Sequence, residues 1–352
     1  MAERKPLVLV NGMARQLPAG DSIVGAGCPG MIVQYELVTV SKTVTAYSDG
    51  MLDIFCSGAS GGGGVGFNGT FLGGPGAGEV AVKRSIPVRA GDSFVVTIGA
   101  GGASVSRATA GLTPGNAGGD TTITGPGVAI TVHGGMGAPG GTTKPVAGGL
   151  GGTGGAGGDV HYPGGDGGDV LATSTATFGA AGGGAVAAIP TPQAARKGGS
   201  LTSGGVQHAG GAGVGGVGSS GSGSSSGGGG SGGPASGLTG GPNFFGVLIQ
   251  ASPLEVLASI AGWGLDVFGG GASHIGPAGP GGGGAGRYGD TLNTQPGIFG
   301  GGGGIVSQVT INLSSSPSMF GSGRNVVMAF TPANIASGAG GSGMAIFIFR
   351  SN

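Results

Sequence analysis

Residues 148–159 read GGLGGTGGAGGD, so two of every three residues in this stretch lack a side chain. The whole chain contains 95 glycines among 352 residues, far above the usual glycine content of about 7%. Catalysis, metal binding and base recognition all need functional groups that glycine does not have. The chain therefore has to fold largely through contacts of its backbone.

The Gly-Gly-X repeat has the three-residue period of a polyproline-II-like helix, which rises about 3.1 Å per residue without internal hydrogen bonds. Glycine keeps the N–H donor that proline lacks, and neighbouring glycine backbones can approach closely. Ordering each residue costs about 1–2 kcal/mol, so such segments need partners for nearly every backbone group. We predict that residues 148–158 form an extended left-handed threefold helix within a lattice of backbone hydrogen bonds.

Other glycine-rich classes fit this composition less well. Collagen needs Gly-X-Y triplets with abundant proline, whereas this chain has 20 prolines and Gly-Gly-X triplets. The segment GSSGSGSSSGGGGSGG at 218–233 is typical of a flexible linker. Disordered chains combine high charge with low hydrophobicity, but this chain is 38% apolar and 8% charged. These values favour a packed domain.

Short apolar runs between turn residues predict strands. They include MIVQYELVTV, GMLDIFCSG and DSFVVTIGAGG, and a last run, GMAIFIFR, ends the chain. This spacing indicates a mainly β protein with an antiparallel β-sandwich. An apolar strand at the end of the chain needs a partner, so we expect residues 344–349 to form a strand that closes the domain, in the same sandwich as residues 51–56 and 94–98.

We expect two parts in the chain. Residues 1–30 form an N-terminal arm for attachment, in which Leu7–Val10 and residues 13–17 make a hairpin around Asn11-Gly12. Residues 31–352 form a glycine-rich β-sandwich domain.

Within this domain, the β core comprises residues 31–135 together with 343–350, and the glycine-rich body comprises residues 136–342. In that body, SPLEVLASIAGWG predicts one short α-helix near 253–261, with Ser252 as N-cap and Pro253 at the first helical position.

Residues with reactive side chains are sparse. His133, His161, His208 and His274 have no cysteine or carboxylate at metal-ligand spacing. No G-x-G-x-x-G match opens an amphipathic helix after a strand, and no serine lies in a nucleophile elbow. We therefore expect no enzymatic activity and no cofactor.

One motif offers an alternative that involves a metal. GGDGGDVLA at 164–172 matches the nonapeptide that binds calcium in parallel β-helices. It would place a calcium site at Asp159, Asp166 and Asp169. These copies are imperfect and do not keep a constant period, so aspartates in solvated turns are the favoured interpretation.

Charge and hydropathy limit the partners. Fourteen basic residues balance fourteen acidic ones without a basic cluster, which argues against nucleic acid. No run reaches the roughly 20 apolar residues of a membrane helix, and the apolar run near the start is too short for a signal peptide. Cys28 and Cys56 are too few for a disulfide scaffold, and we expect buried thiols.

Two groups of residues are candidates for contacts with partners. In the arm, apolar side chains can add a strand edge to a partner's sheet, although the arm could equally tuck onto its own domain. These arm residues are Leu7, Val8, Leu9, Val10 and Leu17. In the body, Tyr162 and Tyr288 lie near glycine clusters, and we expect them to face a receptor.

Several segments together resemble a known family. MLDIFCSGASGGGG, GAGEVAVKRSIPVRAGDSFVVTIGAGG, NAGGDTTITGPGVAITVHGGMG and GAGGSGMAIFIFR resemble the glycine-rich domain of bacteriophage tail fibres and related virion proteins. The start, LVLVNGMARQLPAGDSI, is similar to the attachment segment of phage tail-appendage proteins. The resemblance implies polyglycine-II helices packed into a sandwich, a structural or host-recognition role, and a homo-oligomer that is a trimer by analogy.

These observations predict a non-enzymatic structural protein of the phage tail, made in the host cytoplasm and built into the virion. As a tail fibre or tail-appendage component, it would bind other virion proteins through its arm and contact a host cell-surface receptor. The chain has no long shaft repeat, so a capsid decoration or minor head protein is an alternative. A glycine-rich cell-wall or matrix protein is a third, against which the missing secretion signal counts.

Overall fold

The computed structural model describes residues 7–10, 13–16, 32–67, 69–174, 179–185, 197–202, 305–306, 327–329 and 335–351. This part of the chain is mainly β, with antiparallel sheets and no helix. The helix predicted near 253–261 lies outside the described residues, as do Leu17, Cys28 and Tyr288. Among the described residues no helix is long and apolar enough to cross a bilayer.

The strands follow one another along the chain with short connections in the N-terminal half. They are β1 (Leu7–Val10), β2 (Met13–Gln16), β3 (Ile32–Val38), β4 (Lys42–Thr45), β5 (Gly50–Ser57), β6 (Val65–Phe67), β7 (Phe71–Leu72), β8 (Val80–Val88), β9 (Ser93–Thr97), β10 (Ser106–Arg107), β11 (Leu112–Thr113), β12 (Thr121–Gly125), β13 (Val128–Val132), β14 (Gly140–Gly141), β15 (Val160–Tyr162), β16 (Gly179–Ala180), β17 (Ile305–Val306), β18 (Val327–Ala329), β19 (Ile335–Ala336) and β20 (Met344–Arg350).

The N-terminal hairpin is confirmed. Strands β1 and β2 pair antiparallel, with Leu7 opposite Gln16 and Val10 opposite Met13. Two residues separate the strands in the sequence, as expected for the shortest hairpin connection. The described part of the second strand is Met13–Gln16, and the last residue of the predicted hairpin lies outside the described residues.

The largest sheet has five strands in the order β15-β8-β5-β20-β3. The C-terminal strand β20 lies inside it, antiparallel to both neighbours, so that Phe347 is opposite Ile54 on β5 and Glu36 on β3. The prediction that the last apolar run pairs with residues 51–56 is therefore confirmed. Six of the seven residues of β20 are buried, because both faces of this strand are covered.

The end of β20 is fixed by an ion pair with a buried carboxylate. The Arg350 guanidinium lies 2.8 Å from a carboxylate oxygen of Asp53 on β5. The other carboxylate oxygen of Asp53 accepts the backbone N–H of Ser85 at 2.9 Å. Ser85 has a φ of 54° next to an irregularity in the β5–β8 pairing. A single buried carboxylate thus ties together three neighbouring strands.

A second sheet has four antiparallel strands in the order β13-β12-β9-β4. Its residues alternate as expected for a half-buried sheet: on β9, Phe94 and Val96 are buried, whereas Ser93, Val95 and Thr97 are exposed. Gly127, in the turn between β12 and β13, has a φ of 69° that residues with side chains rarely adopt.

Buried side chains of the two sheets form one apolar cluster. Phe94 of the second sheet and Phe347 of the first have ring centroids 6.0 Å apart. Each fully buried side chain of this size stabilises the fold by about 1.5–3 kcal/mol. The larger members of the cluster are Leu52, Ile54, Ile86, Phe94, Ile123, Ile130, Phe347 and Phe349.

Three smaller sheets complete the described strands. Their orders are β11-β6-β18-β17, β14-β7-β16 and β10-β19. Some of their pairs are parallel, such as β16 with β7 and β18 with β6.

The rest of the described chain consists largely of segments that belong to no strand, which we call the glycine segments. They are residues 58–64, 73–79, 98–105, 114–120, 133–139, 147–155, 163–169, 181–185, 197–200 and 337–343.

Candidate functional site

The backbone hydrogen bonds of the glycine segments repeat every three residues. Residues 58–63 donate their N–H groups in rotation to three neighbouring segments, all of which run antiparallel to them. The donor–acceptor pairs are Gly58 to Glu79, Ala59 to Gly119, Ser60 to Gly341, Gly61 to Gly76, Gly62 to Asn116 and Gly63 to Gly338, with N···O distances of 2.8–3.1 Å. Each segment is therefore bonded to several others at once, whereas a β-strand bonds to two.

The same period joins the other segments. The N–H groups of Gly73, Gly76 and Glu79 bond to the carbonyls of Pro139, Met136 and His133 in turn. A parallel pair follows the same rule, since Ala181 and Gly184 donate to Leu72 and Pro75. We call this network the glycine lattice.

Close approach of backbones explains why the lattice requires glycine. A Cβ atom at Gly74 would lie 1.8 Å from the carbonyl oxygen of Gly182, and one at Gly152 would lie 2.1 Å from that of His133. Neither glycine has a φ in the left-handed region, so residues with side chains are excluded by space and not by backbone conformation.

The extended run predicted for residues 148–158 is shorter in the structure. Gly154 and Gly157 have φ values of 86° and 84°, which an extended threefold helix does not contain. Between them, Ala156 makes an antiparallel bridge with Thr131. The segment turns at Gly154 because its next partners are the end of β13 and the side chain of Glu79.

The third residue of a Gly-Gly-X triplet can point outward. Met136 and Leu150 lie on neighbouring segments, where the Met136 N–H donates to the Leu150 carbonyl at 2.8 Å. Their side chains are 53% and 60% exposed. The glycines beside them, Gly135 and Gly149, are buried. At this edge of the lattice, therefore, the side chains face solvent while the glycine backbone beside them is packed.

Aspartates of the lattice accept backbone hydrogen bonds. The sequence contains four Gly-Gly-Asp triplets, and the carboxylate of each accepts one N–H from another part of the chain. These pairs are Asp120 with Gly134 (3.0 Å), Asp159 with Arg84 (2.7 Å), Asp166 with Gly151 (2.8 Å) and Asp169 with Gly148 (2.9 Å). A carboxylate thus takes the place of a carbonyl acceptor.

The calcium alternative has no support in this arrangement. Asp159 lies near Lys83 (3.8 Å), while Asp169 pairs with Lys197 (2.6 Å). Asp166 and Asp169 bind different glycines of residues 147–155. In the described ranges, no three His, Cys, Asp or Glu side chains form a group that could hold a metal ion. The Gly-Gly-Asp spacing reflects the period of the lattice.

Glu79 is the most deeply buried carboxylate of the lattice among the described residues, with a side chain 1% exposed. It accepts the backbone N–H groups of His133 and Gly155 at 3.0 Å, and the His161 Nδ1–H at 2.8 Å. A buried carboxylate is costly unless hydrogen bonds replace its water shell. Three donors from three parts of the chain do so here.

The hydrogen bonds of His161 define its protonation. Its Nε2 accepts the Gly158 N–H at 3.1 Å, and a backbone N–H can only donate. Nε2 therefore carries a lone pair, and Nδ1 carries the proton that is donated to Glu79. His133 differs, because its Nδ1 lies 3.0 Å from Asp120 near the surface.

The free thiol of Cys56 lies in the apolar cluster, as expected from the sequence. The pKa of this thiol is raised to about 12, mainly by burial and to a smaller extent by the nearby charge of Glu79, while a contact with the Ala81 carbonyl acts in the opposite direction. A thiol with this pKa is inert at neutral pH.

The aromatic candidates are only partly described. Tyr162 lies at the end of β15, opposite Val80, and is half-buried. Sequence reasoning missed Tyr47, whose side chain is 80% exposed between β4 and β5. Its position before the turn sequence Ser-Asp-Gly was the available signal.

No protein-family model matches this chain, and comparison with the curated proteins gives no match. The resemblance to phage tail proteins, the partners and the absence of enzymatic activity therefore stay predictions.

Proposed function

We propose that this protein is a non-enzymatic structural component of a bacteriophage virion, a tail fibre or tail appendage whose outer face contacts the host surface. The observation that carries the proposal is how the lattice uses its polar side chains. Asp120, Asp166, Asp169 and Glu79 all bind backbone N–H groups. Such contacts suit a rigid support that displays a surface.

We propose that the two larger sheets form an antiparallel β-sandwich closed by β20. The apolar cluster shared by the sheets and the contact of Phe94 with Phe347 support this arrangement. Deletion of residues 344–352 would then remove a central strand, expose two strand edges and leave the protein insoluble. A soluble truncated protein with a cooperative melting transition would refute the closure.

We propose that the glycine segments are polyglycine-II helices. The rotation of N–H donors among neighbours every three residues supports this assignment. So do Pro75, Pro139 and Pro163, because the fixed φ of proline is close to that of a polyproline-II helix. An experimental structure should give the segments φ near −75° and ψ near +145°, as rough values; β-region values near −140° and +135° would refute the assignment.

The N-terminal arm, residues 1–30, is proposed to attach the protein to other virion proteins. The β1–β2 hairpin supports this role, because two strands alone are marginally stable and gain from pairing with a further sheet. A protein that lacks residues 1–30 should fold but fail to join virions. Its incorporation at the normal copy number, measured by quantitative mass spectrometry, would refute the attachment role.

The tail location has a direct test. Purified virions should contain the polypeptide, and gold-labelled antibodies should bind tails. Labelling of heads would favour a decoration or minor head protein. Secretion from cells that carry no phage would favour a cell-wall or matrix protein. The chain's low charge also predicts that binding to host cells weakens little with salt.

A further inference from the structure

We propose that His161 holds the turn at residues 154–158 on the glycine lattice through a hydrogen bond that acid breaks. The stability of this turn is independent of the proposed role in a virion. It rests on the hydrogen bonds that join the turn to the rest of the chain.

The turn is fixed at three points. Gly155 donates to Glu79, and Ala156 exchanges two hydrogen bonds of 2.9 Å with Thr131. At the far end, Gly158 donates to the Nε2 of His161. The first two contacts use groups of the lattice and of β13. The third depends on an unprotonated nitrogen.

A proton on Nε2 removes the third contact. The Nε2–H and the Gly158 N–H would then point at each other across 3.1 Å, and neither could accept. The new positive charge would also strengthen the attraction between the ring and the Glu79 carboxylate, 2.8 Å away. The ring therefore stays on Glu79, and the turn moves away at Gly158.

The charged and titratable groups near the ring lie on β8, on the turn and on the lattice. Glu79 is the carboxylate in contact with the ring. On β8, Lys83 lies 3.8 Å from Asp159, next to Gly158 in the sequence. On the lattice side, Asp120 pairs with His133. The Cys56 thiol, which feels the charge of Glu79, stays neutral.

The release is expected at the surface of the lattice and not in its interior. The side chain of His161 is 21% exposed, so a proton can reach the ring from solvent without unfolding the lattice. The exposed residues of the turn are Gly154, Ala156 and Gly157. Acid should therefore loosen the surface turn at Gly158 while the backbone bonds of residues 58–63 remain intact.

The test uses the full-length protein and hydrogen exchange of peptides covering residues 153–162 between pH 8 and pH 5. We expect the protection factor of the Gly158 amide to fall about tenfold as His161 takes up its second proton, the size of one lost hydrogen bond. Protection of residues 58–63 should not change. Imidazole ¹⁵N NMR should show an unprotonated Nε2 at pH 8.

Two matched variants separate the effect of the His161 ring from the effects of other groups. In His161→Gln, the amide N–H can donate to Glu79 and its oxygen can accept from Gly158, but the side chain does not titrate in this range. Protection of Gly158 should then be independent of pH. His133→Gln removes the neighbouring histidine and should keep the wild-type response.

Several results would refute the proposed acid sensitivity of this hydrogen bond. Constant protection of Gly158 while NMR reports titration of His161 is one. A protonated Nε2 at pH 8, or a ring that does not titrate down to pH 5, are others. The same acid response in His161→Gln would assign the effect to another group. Hydrogen exchange at Gly158 together with the NMR titration of the wild-type protein decides even if the glutamine variant fails to fold.

Discussion

The two large sheets and the glycine lattice satisfy the same backbone requirements in opposite ways. In the sheets, each strand bonds to its neighbours in one plane, and the space above is filled by side chains such as Phe94 and Phe347. In the lattice, residues 58–63 bond to neighbours on three sides, and backbone carbonyls occupy the positions that a Cβ at Gly58 or Gly61 would take. One region is held by apolar burial and the other by backbone contact.

This difference inverts the usual rule for core substitutions. In a side-chain core, removal of atoms creates a cavity and costs stability. In the lattice, addition of a single carbon atom is the damaging change, because backbone carbonyls occupy the position it would take. A residue's burial therefore predicts the cost of substitution only when its region is known.

The largest expected effect comes from alanine at a lattice glycine. In Gly152→Ala, the Cβ would meet the His133 carbonyl oxygen at 2.1 Å and the Glu79 nitrogen at 2.8 Å, so two segments have to separate. We expect a loss of more than about 4 kcal/mol in the free energy of unfolding, which is exceptional for a point mutant. Denaturation in urea measures it.

Gly154→Ala is the matched control two residues away. No atom of the described residues lies within 4 Å of a Cβ at Gly154, so the cost expected there comes from its positive φ, about 1–2 kcal/mol. Equal losses for Gly152→Ala and Gly154→Ala would mean that backbone conformation, and not close packing, sets the need for glycine. The contrast between the two regions would then disappear.

Prediction from sequence succeeded where side chains carry the pattern. Alternation of apolar and polar residues located β9, and the apolar run of β20 required a partner that β5 supplies. The hairpin of β1 and β2 followed from Asn11-Gly12 between apolar runs. In each case the residues that form the contact also produce the sequence pattern that predicts it.

In the lattice the partners could not be predicted. A glycine in residues 58–63 is identical in sequence to any other, so nothing indicates that Gly58 bonds to Glu79 and Gly61 to Gly76. The contact between Glu79 and His161 spans 82 positions. The Gly-Gly-Asp triplets could be recognised in the sequence, but the same triplets also occur in calcium-binding loops. The three-residue spacing of Asp166 and Asp169 was the signal that matched the period of the lattice.

The buried carboxylate of the lattice offers a second way to sharpen the comparison. Glu79→Gln keeps the size of the side chain, but its amide group can accept with one oxygen only, and its NH₂ group would face the N–H donors now bound by Glu79. We expect a loss of about 1.5–3 kcal/mol, the range for hydrogen bonds to a charged group.

The control for Glu79→Gln is Asp120→Asn, whose carboxylate binds Gly134 and His133 near the surface. It should lose less, because water can replace the lost contacts. If the two variants lost equal stability in thermal denaturation, burial would not be what makes the Glu79 contacts strong.

The pH dependence of stability tests the burial of Cys56 in the apolar cluster. Its folded pKa of about 12 exceeds the ordinary value of 9.0, so its stabilising contribution is complete below pH 9 and is lost as pH rises towards 12. Unfolding releases the proton in this range, and stability should fall by about 1.4 kcal/mol per pH unit from this group. The difference in urea stability between wild type and Cys56→Ala should show this slope. A pH-independent difference would contradict it.

The smallest effect is expected where the lattice displays a side chain. Leu150 is 60% exposed and lies between Gly149 and Gly151, which pack against other segments. Leu150→Ser removes apolar surface that already faces water and leaves every backbone bond of the segment in place. We expect a change within about ±0.5 kcal/mol, as for surface substitutions in general. The matched substitution in the sheets, Phe347→Ser, should cost several times more, because Phe347 is fully buried. A large loss in Leu150→Ser, measured by thermal denaturation, would mean that the third residue of the triplet helps to hold the lattice. A lattice of that kind would depend on its side chains as the sheets do, and its surface could not vary independently of its fold.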